Sequence, residues 1–95
     1  MSRTPVIRFR LYIAGDTPNS ALALSNLHDL CRVHLQDRHE IEVVDVFKEP
    51  HRAREDKILM TPTLIRIGSS PVRIVGTLSS RPVVLQTLGL NTQAA

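Results

Sequence analysis

A strand, a helix and a second strand follow one another within about 40 residues near the start of this chain, and this order constrains its fold most. Residues 6–14 alternate apolar with polar side chains, which is the period of a β-strand. Apolar residues then recur at helical spacing as far as Leu35, after Thr17 at an N-cap position and Pro18 at the first helical position. Residues 40–46 predict a second strand with apolar residues on both faces, as in an interior parallel strand covered on both sides. The three segments predict a right-handed βαβ unit.

Shorter elements fill the second half of the chain. Glu49-Pro50 opens a charged segment that runs to Lys57 and favours a short helix. Residues 64–67 and 72–75 resemble strands and flank a turn, so they predict a β-hairpin. Apolar residues at helical spacing within residues 82–90 predict the last helix. The sequence therefore predicts an α/β fold in which a βαβ unit is followed by a ββα unit.

Length and composition fit a single soluble domain. The chain has 95 residues, of which 42% are apolar and 22% are charged, as in ordinary globular proteins. No linker is long enough to divide it, so we expect one domain over residues 1–95 with an ordered core at about 6–90. No apolar run approaches the roughly 20 residues of a membrane-spanning helix. The N-terminus lacks the apolar core of a signal peptide, so we expect a cytoplasmic protein with no membrane partner.

Charge is distributed unevenly along the chain. Residues 16–56 hold all nine acidic residues and five basic ones. Residues 57–95 hold four basic residues and no acidic residue, so this half suits an acidic partner surface. The aromatic residues are Phe9, Tyr12 and Phe47, which are too few for a platform on which bases stack. We therefore expect a protein partner and no nucleic acid.

The sequence offers no convincing catalytic, cofactor or metal site. His28, Cys31 and His34 are spaced by three on the first helix, but no fourth ligand is adjacent and Cys31 falls on the apolar stripe. A single cysteine also excludes an intrachain disulfide. Ser20 and Ser79 lack a motif that would supply a general base, and the four scattered glycines form no phosphate-binding loop. We expect no enzyme activity, no cofactor and no metal.

The order of the elements resembles the thioredoxin fold. Thr61-Pro62-Thr63 before a strand resembles the cis-proline turn of that fold, and residues 75–79 resemble the segment that follows its last strand. Thioredoxins carry a Cys-x-x-Cys motif after the first strand, where this chain reads Thr17-Pro18-Asn19-Ser20. Because thiol–disulfide exchange requires a thiolate, that reaction is excluded at this position.

Three longer segments, residues 11–20, 45–50 and 55–64, resemble the KaiB family of clock proteins in the same order. Residues 71–76 are similar to the next block of the family, one residue shorter, and the resemblance covers about residues 10–90. It implies a non-enzymatic regulator, in a clock or in clock-derived stress signalling, that binds a KaiC-type ATPase ring. It also implies a KaiA-like or kinase partner, and self-association as a dimer or tetramer. In such proteins the C-terminal half rearranges between a thioredoxin-like fold and an alternative fold.

The resemblance also implies individual site residues. The family motifs place Lys57 and Arg73 as docking charges, although either can be an ordinary solvated cation. Glu55 and Asp56 are candidates to face a basic partner patch, with a helix-surface pair such as Arg52 and Glu55 as the alternative. The candidate turn or switch residues are Gly15, Pro18, Asn19, Thr61, Pro62, Thr63, Pro71 and Gly76.

The chain departs from the cyanobacterial members of the family, because it has no acidic residue after Asp56 where those members carry an acidic tail. This difference fits a divergent member outside the core clock.

Two other functions stay open on the sequence. One is a thioredoxin-fold redox protein that uses Cys31 alone, and the other is an adaptor that binds a signalling histidine kinase.

Overall fold

The structure is a computed structural model that describes residues 5–90. Its elements follow the predicted order, and the thioredoxin-like α/β fold is confirmed. One four-stranded sheet has the order β2-β1-β3-β4. The elements are β1 (Ile7–Ile13), α1 (Pro18–His34), β2 (His39–Asp45), α2 (Pro50–Glu55), β3 (Thr63–Ile67), β4 (Val72–Val75) and α3 (Arg81–Leu88).

Strand β1 is central because it pairs with two neighbours in opposite directions. It runs parallel to β2, with Phe9 opposite Ile41, and antiparallel to β3, with Leu11 opposite Leu64. Strand β4 then pairs antiparallel with β3, which confirms the predicted hairpin. The parallel pair with its connecting helix is the predicted βαβ unit, and β1 is the strand on which both halves of the chain meet.

The sheet carries a large core on one face and a small core on the other. The large core joins β1 and β3 to α1 and α3, and its buried members include Phe9, Leu11, Leu27 and Leu88. The small core lies on the face that α2 covers. Its buried members are Tyr12, Val44 and Ile65, with Ala53 of α2 packed against them. Helix α2 thus covers its face with few apolar contacts.

The prediction of β2 as an interior strand is wrong. β2 lies at the edge of the sheet and pairs only with β1 within residues 5–90. It carries apolar residues on both sides because each face of the sheet has its own core: Ile41 packs against the large core and Val44 is buried in the small one. Val43 is exposed, as an edge position allows.

Helix ends differ in detail from the sequence expectations. Thr17 occupies the N-cap position of α1, but its side chain makes no cap hydrogen bond to the helix backbone. Its Oγ1 instead donates to Oγ of Ser20 at 2.8 Å, and that oxygen accepts the Ala14 N–H at 3.0 Å.

No helix within residues 5–90 has the length and apolar character that a membrane span needs.

Substitution of a residue in the large core tests this packing. Leu11 is fully buried, so Leu11→Ala removes apolar contacts and leaves a cavity. We expect it to lower the free energy of unfolding by about 2–5 kcal/mol in urea titrations followed by circular dichroism. Val83→Ala on α3 is the control, because that side chain is exposed and its truncation changes little. Equal losses in the two variants would contradict the assignment of the core.

Candidate partner-binding site

A network of hydrogen bonds and ion pairs joins the segment after α2 to the sheet, on the face that carries the small core. Asp56 follows the last residue of α2 directly, and its carboxylate reaches two side chains of β1. Oδ2 of Asp56 accepts from Nη1 of Arg10 at 3.0 Å and from the hydroxyl of Tyr12. The carbonyl oxygen of Arg52 lies 3.1 Å from the same hydroxyl. The α2–β3 connection is therefore anchored on the central strand.

Glu42 of β2 extends this network toward the sheet edge. It lies opposite Arg10 in the parallel pair, and its Oε1 accepts from Nε of Arg10 at 2.9 Å. Its Oε2 accepts from Nη1 of Arg52 at 2.6 Å, and Glu49 lies 3.6 Å from the same nitrogen. One carboxylate thus bridges β1 and α2 through two guanidinium groups.

The network shifts the acidity of its members. The hydrogen bond from Tyr12, followed by that from Arg10, holds the pKa of Asp56 below its ordinary value. Hydrogen bonds from Arg52 and Arg10 lower the pKa of Glu42 to about 2. Desolvation, with the Asp56 carboxylate beside it, raises the pKa of Tyr12 to about 12. The two carboxyl groups therefore remain ionised and the phenol protonated across the physiological range.

The four predicted docking residues lie together at one corner of the molecule. Nη2 of Arg73 donates to the carbonyl oxygen of Asp56, and Nη1 of the same side chain lies 3.5 Å from the carbonyl oxygen of Lys57. Lys57 and Glu55 are exposed, whereas Asp56 is half-buried. The alternative pair of Arg52 and Glu55 is wrong, because Arg52 contacts two other carboxylates instead.

Three of the predicted turn residues lie where α1 begins. Gly15 has a φ of +58°, in the left-handed region that favours glycine, and the ring of Phe47 lies against it. Pro18 is the first residue of α1, as predicted, and Asn19 is exposed in the first turn. This is the corner at which thioredoxins carry their cysteines.

The other turn residues lie around the start of β3 and the ends of β4. The Thr61–Pro62 peptide bond is cis, as predicted, and both Pro62 and Thr63 are buried. Gly76 adopts a φ of +119° and donates its N–H to the carbonyl oxygen of Pro62 at 2.9 Å. Pro71 is exposed just before β4. The cis turn and the end of the hairpin are thus hydrogen-bonded to each other.

Cys31 lies in the last turn of α1, at the opposite end of the helix from its N-terminus. Its thiol is buried, and burial raises its pKa to about 11. A thiol in that state supplies little thiolate for exchange chemistry. Among residues 5–90, no three side chains of the His, Cys, Asp and Glu types come together as metal ligands.

Sequence reasoning missed Arg10, Tyr12, Glu42 and Arg52 as members of the site. The period-2 pattern already places Arg10 and Tyr12 on the same face of β1, away from the large core. Their partners lie 32 to 46 positions away along the chain, and only the tertiary fold brings them together. Opposite charges at facing positions of neighbouring strands are the sequence signal that could have identified these residues.

Comparisons with known proteins give a consistent result. Residues 10–90 match the family model described as the KaiB domain. The circadian clock oscillator protein KaiB of Synechococcus elongatus is 46% identical over 91 residues, which cover 95% of this chain and 89% of that protein. The protein of the same name from Cyanothece is 49% identical over 82 residues, which cover 85% of this chain and 78% of the relative.

Solved structures share the fold at lower identity. The N-terminal domain of Synechococcus elongatus SasA superposes with a TM-score of 0.71 at 18% identity, covering 100% of this chain and 92% of the domain. Chloroplastic thioredoxin z gives a TM-score of 0.69 at 18% identity, covering 88% of this chain and 80% of that chain. These likenesses place the chain in the thioredoxin-like fold.

The ionised network predicts a loss of stability in acid. The pKa values of Asp56 and Glu42 are lower in the folded chain than their ordinary values of 3.8 and 4.5. Stabilisation from a depressed pKa is present above the unfolded value and is lost as the pH falls through the folded value. We expect the urea midpoint to fall between pH 4.5 and about pH 2, and Asp56→Asn or Glu42→Gln to flatten that dependence.

Glu40→Gln is the matched control for these variants. Glu40 also faces an arginine of β1, Arg8, but that pair is exposed and 3.4 Å apart, so it contributes little. The Glu40→Gln variant should keep the acid dependence of the unmodified chain. A pH profile that Asp56→Asn and Glu42→Gln both leave unchanged would contradict the role of the network.

Proposed function

The chain belongs to the KaiB family of circadian clock proteins, and from this we propose that it is a non-enzymatic regulator that binds a KaiC-type ATPase ring and adjusts the activity or the output of that ring. The observation that carries the proposal is the family match over residues 10–90. The residues Thr17–Ser20, which stand where thioredoxins have cysteines, are consistent with a protein that acts through its surface. We propose that it works in the cytoplasm.

The docking surface of this proposal is the corner formed by the α2–β3 segment and β4. Lys57 and Arg73 supply its cations and Glu55 an exposed carboxylate beside them. Two hydrogen bonds from Arg73 to the backbone of residues 56 and 57 keep these charges near one another. A clustered set of charges raises the association rate and selects partners of opposite sign.

Asp56 has a different part in the proposed surface. Its carboxylate is already engaged by Arg10 and Tyr12. Because this carboxylate is bonded within the molecule, it holds in place the segment that carries Lys57 and is not available to contact a partner directly. We therefore assign Asp56 to the support of the docking surface.

We also propose a conformational change of the kind that the family resemblance implies. The N-terminal half keeps its βαβ unit, and the C-terminal half passes between this thioredoxin-like packing and an alternative one that self-associates as a dimer or tetramer. The short elements of the second half support this view, because α2 has six residues and buries none of them, and β4 has four residues. A KaiA-like protein or a kinase is a further proposed partner.

Charge reversal at the docking corner tests the function. We expect the double variant Lys57→Glu, Arg73→Glu to bind a KaiC-type hexamer at least about tenfold more weakly than the unmodified chain, because both cations would meet the partner with the wrong sign. Binding is measured by titration with the hexamer in its ADP form and in its ATP form.

Arg32→Glu provides the control for this titration. Arg32 is exposed on α1, away from the docking corner, and its loss removes only a 3.5 Å surface pair with Asp29. Binding of the control should stay within about twofold of the unmodified chain. If the unmodified chain binds the hexamer in neither nucleotide form, the proposed function is wrong.

A further inference from the structure

Strand β4 lies at one edge of the sheet, and its outer side is open. Within residues 5–90 it pairs with β3 alone. The N–H of Gly76, just after β4, donates to the carbonyl oxygen of Pro62 at 2.9 Å, so these facing residues form a hydrogen-bonded pair. Such pairs alternate with non-bonded pairs along an antiparallel ladder, so the backbone groups of Arg73 and Val75 point away from β3. Both residues therefore offer an N–H and a carbonyl oxygen to a further strand.

No hydrogen bond in the described part of the chain occupies this edge. The backbone atoms of Arg73 and Val75 pair there with no loop and no side chain. The Arg73 side chain extends instead across the α2 face to the carbonyl oxygen of Asp56, and the Val75 side chain is 55% exposed. The strand, Val72–Val75, contains no proline and keeps an unbroken register with β3. An edge of this kind is a template for strand addition.

A mostly apolar groove lies beside this edge, between the end of β4 and the start of α3, and has a volume of about 260 Å³. Ile74, Leu78 and Val84 line it, and all three belong to the large core or pack against it. Val83, which is 57% exposed, lines it as well. A strand added to β4 lies about 5 Å away from it, so its side chains on the large-core face reach this groove. We expect those side chains to be apolar.

The charged side chains along this edge are basic. The stretch from residue 57 to residue 90 supplies β3, β4, α3 and both connections of β4. It contains no acidic residue, and its charged residues are Lys57, Arg66, Arg73 and Arg81. Arg73 and Arg81 form no salt bridge within the part of the chain that the structure describes.

The acidic residues nearest to this edge do not outweigh its cations. On the α2 face near Arg73, the other cations are Arg10 and Lys57 and the carboxylates are Glu55 and Asp56. Because Arg10 already holds Asp56, Arg73 and Lys57 together exceed the one remaining carboxylate. Of the nine acidic residues, the other seven belong to α1, to β2 or to turns next to β1 and β2, and β1 and β3 lie between β2 and β4. The edge therefore favours an acidic side chain beside Arg73.

A second copy of the chain is disfavoured as the occupant of this edge. If two β4 strands joined, both Arg73 side chains would lie on the same face of the joined sheet and close to one another. Like charges on facing strands destabilise such a pairing. An acidic strand would place carboxylates there instead.

We infer that the edge of β4 binds an extended segment of a partner protein in which acidic and apolar residues alternate. The segment adds a fifth strand to the sheet, and its backbone pairs with the free N–H and carbonyl groups of Arg73 and Val75. Because side chains alternate between the two faces of a strand, the acidic ones share the face of Arg73 and the apolar ones enter the groove beside Val83. The inference goes beyond the proposed function, since it does not require that the partner be a KaiC-type ATPase.

A synthetic peptide tests the inference on the full chain. The probe is the heptapeptide Glu-Val-Glu-Val-Glu-Val-Glu with blocked ends. In heteronuclear NMR it should shift the backbone amides of residues 73–75 and 83–84 saturably, and the shifts should weaken with salt. It should also slow hydrogen exchange at the amides of Arg73 and Val75, because those groups gain hydrogen bonds. Saturable shifts along β2 alone, or no saturable shifts, overturn the inference.

Three further peptides separate strand addition from simple charge attraction. One has the same composition but groups its glutamates before its valines, and it should bind at least about tenfold more weakly. The other two carry N-methyl groups either on the glutamates or on the valines of the alternating sequence. Only one side of an added backbone faces β4, so one of these two should lose binding and the other should keep it. Equal binding of the grouped peptide, or of both N-methylated peptides, and the alternating one overturns the inference.

Substitutions on the chain test the two parts of the site separately. Val75→Pro removes an outward N–H and Val83→Ser removes an apolar wall of the groove, so each should weaken binding of the alternating peptide by at least about fivefold. Both side chains are exposed, so the circular dichroism spectrum should be kept. If Val75→Pro does not fold, Val83→Ser and the N-methylated peptides decide the matter. Val43→Ser is the matched control, since Val43 is 41% exposed on β2 at the opposite edge, and it should bind within about twofold.

The outcomes separate the inference from the proposed function. The peptide titrations use the chain alone, so a failure to bind a KaiC-type hexamer leaves them unaffected. Equal binding of the peptide by Val83→Ser, Val75→Pro and the unmodified chain overturns the inference and leaves the proposed function standing. If β4 instead joins a second copy, the peptide will not bind, and Val75→Pro will abolish a concentration-dependent dimer in sedimentation. That result also overturns the inference.

Discussion

The carboxylate of Asp56 is the contact through which the second half of the chain is tied to the central strand. Arg10 and Tyr12 belong to β1, whose position between β2 and β3 is fixed by both neighbours. Asp56 belongs to the segment that leads from α2 to the cis turn and the hairpin. Because α2 buries no residue of its own, its place on the sheet depends on this polar network and on a small core of three buried side chains. The geometry of the docking corner follows from that anchor.

The two halves of the chain differ in how strongly their local structure is determined. A 17-residue helix between two seven-residue strands makes the first half, and it supplies most of the buried residues of the large core. The elements of the second half have six, five, four and eight residues. Helices this short have little stability of their own, so tertiary contacts decide their conformation. A partner that prefers one packing can shift such a segment at modest cost in free energy, and the proposed rearrangement is confined to this half.

Patterns within single elements predicted most of the fold, whereas contacts between elements escaped prediction. The alternation in β1 and the apolar spacing in α1 gave their positions to within one or two residues, because burial against one core imposes a period. The edge position of β2 was missed because apolar residues on both of its faces fit an interior strand equally well. The pairing of Arg10 with Glu42 depends on the register of two strands, which the pattern within each strand does not determine. The sequence therefore predicted docking residues such as Lys57 but not the network beside them. The exposure of Phe47, Leu59 and Met60 was missed because these residues lie between the regular elements, where no period distinguishes an exposed apolar residue from a buried one.

The internal network also determines which charges of the α2 face lack an ionic partner. The chain carries nine acidic side chains. On the α2 face Glu42, Glu49 and Asp56 are engaged by arginines and Asp45 by backbone N–H groups, whereas Glu55 is exposed. Lysines and arginines of the neighbouring turns are left without a carboxylate of their own within residues 5–90. The same contacts that hold α2 on the sheet thus leave Lys48, Arg54 and Lys57 without an ion pair among residues 5–90. If the second half detached from β1, Asp56 would lose its contact with Arg10 and Glu42 would lose its contact with Arg52, so the arrangement of charge on this face would change. The distribution of charge on this face is therefore coupled to the thioredoxin-like packing itself.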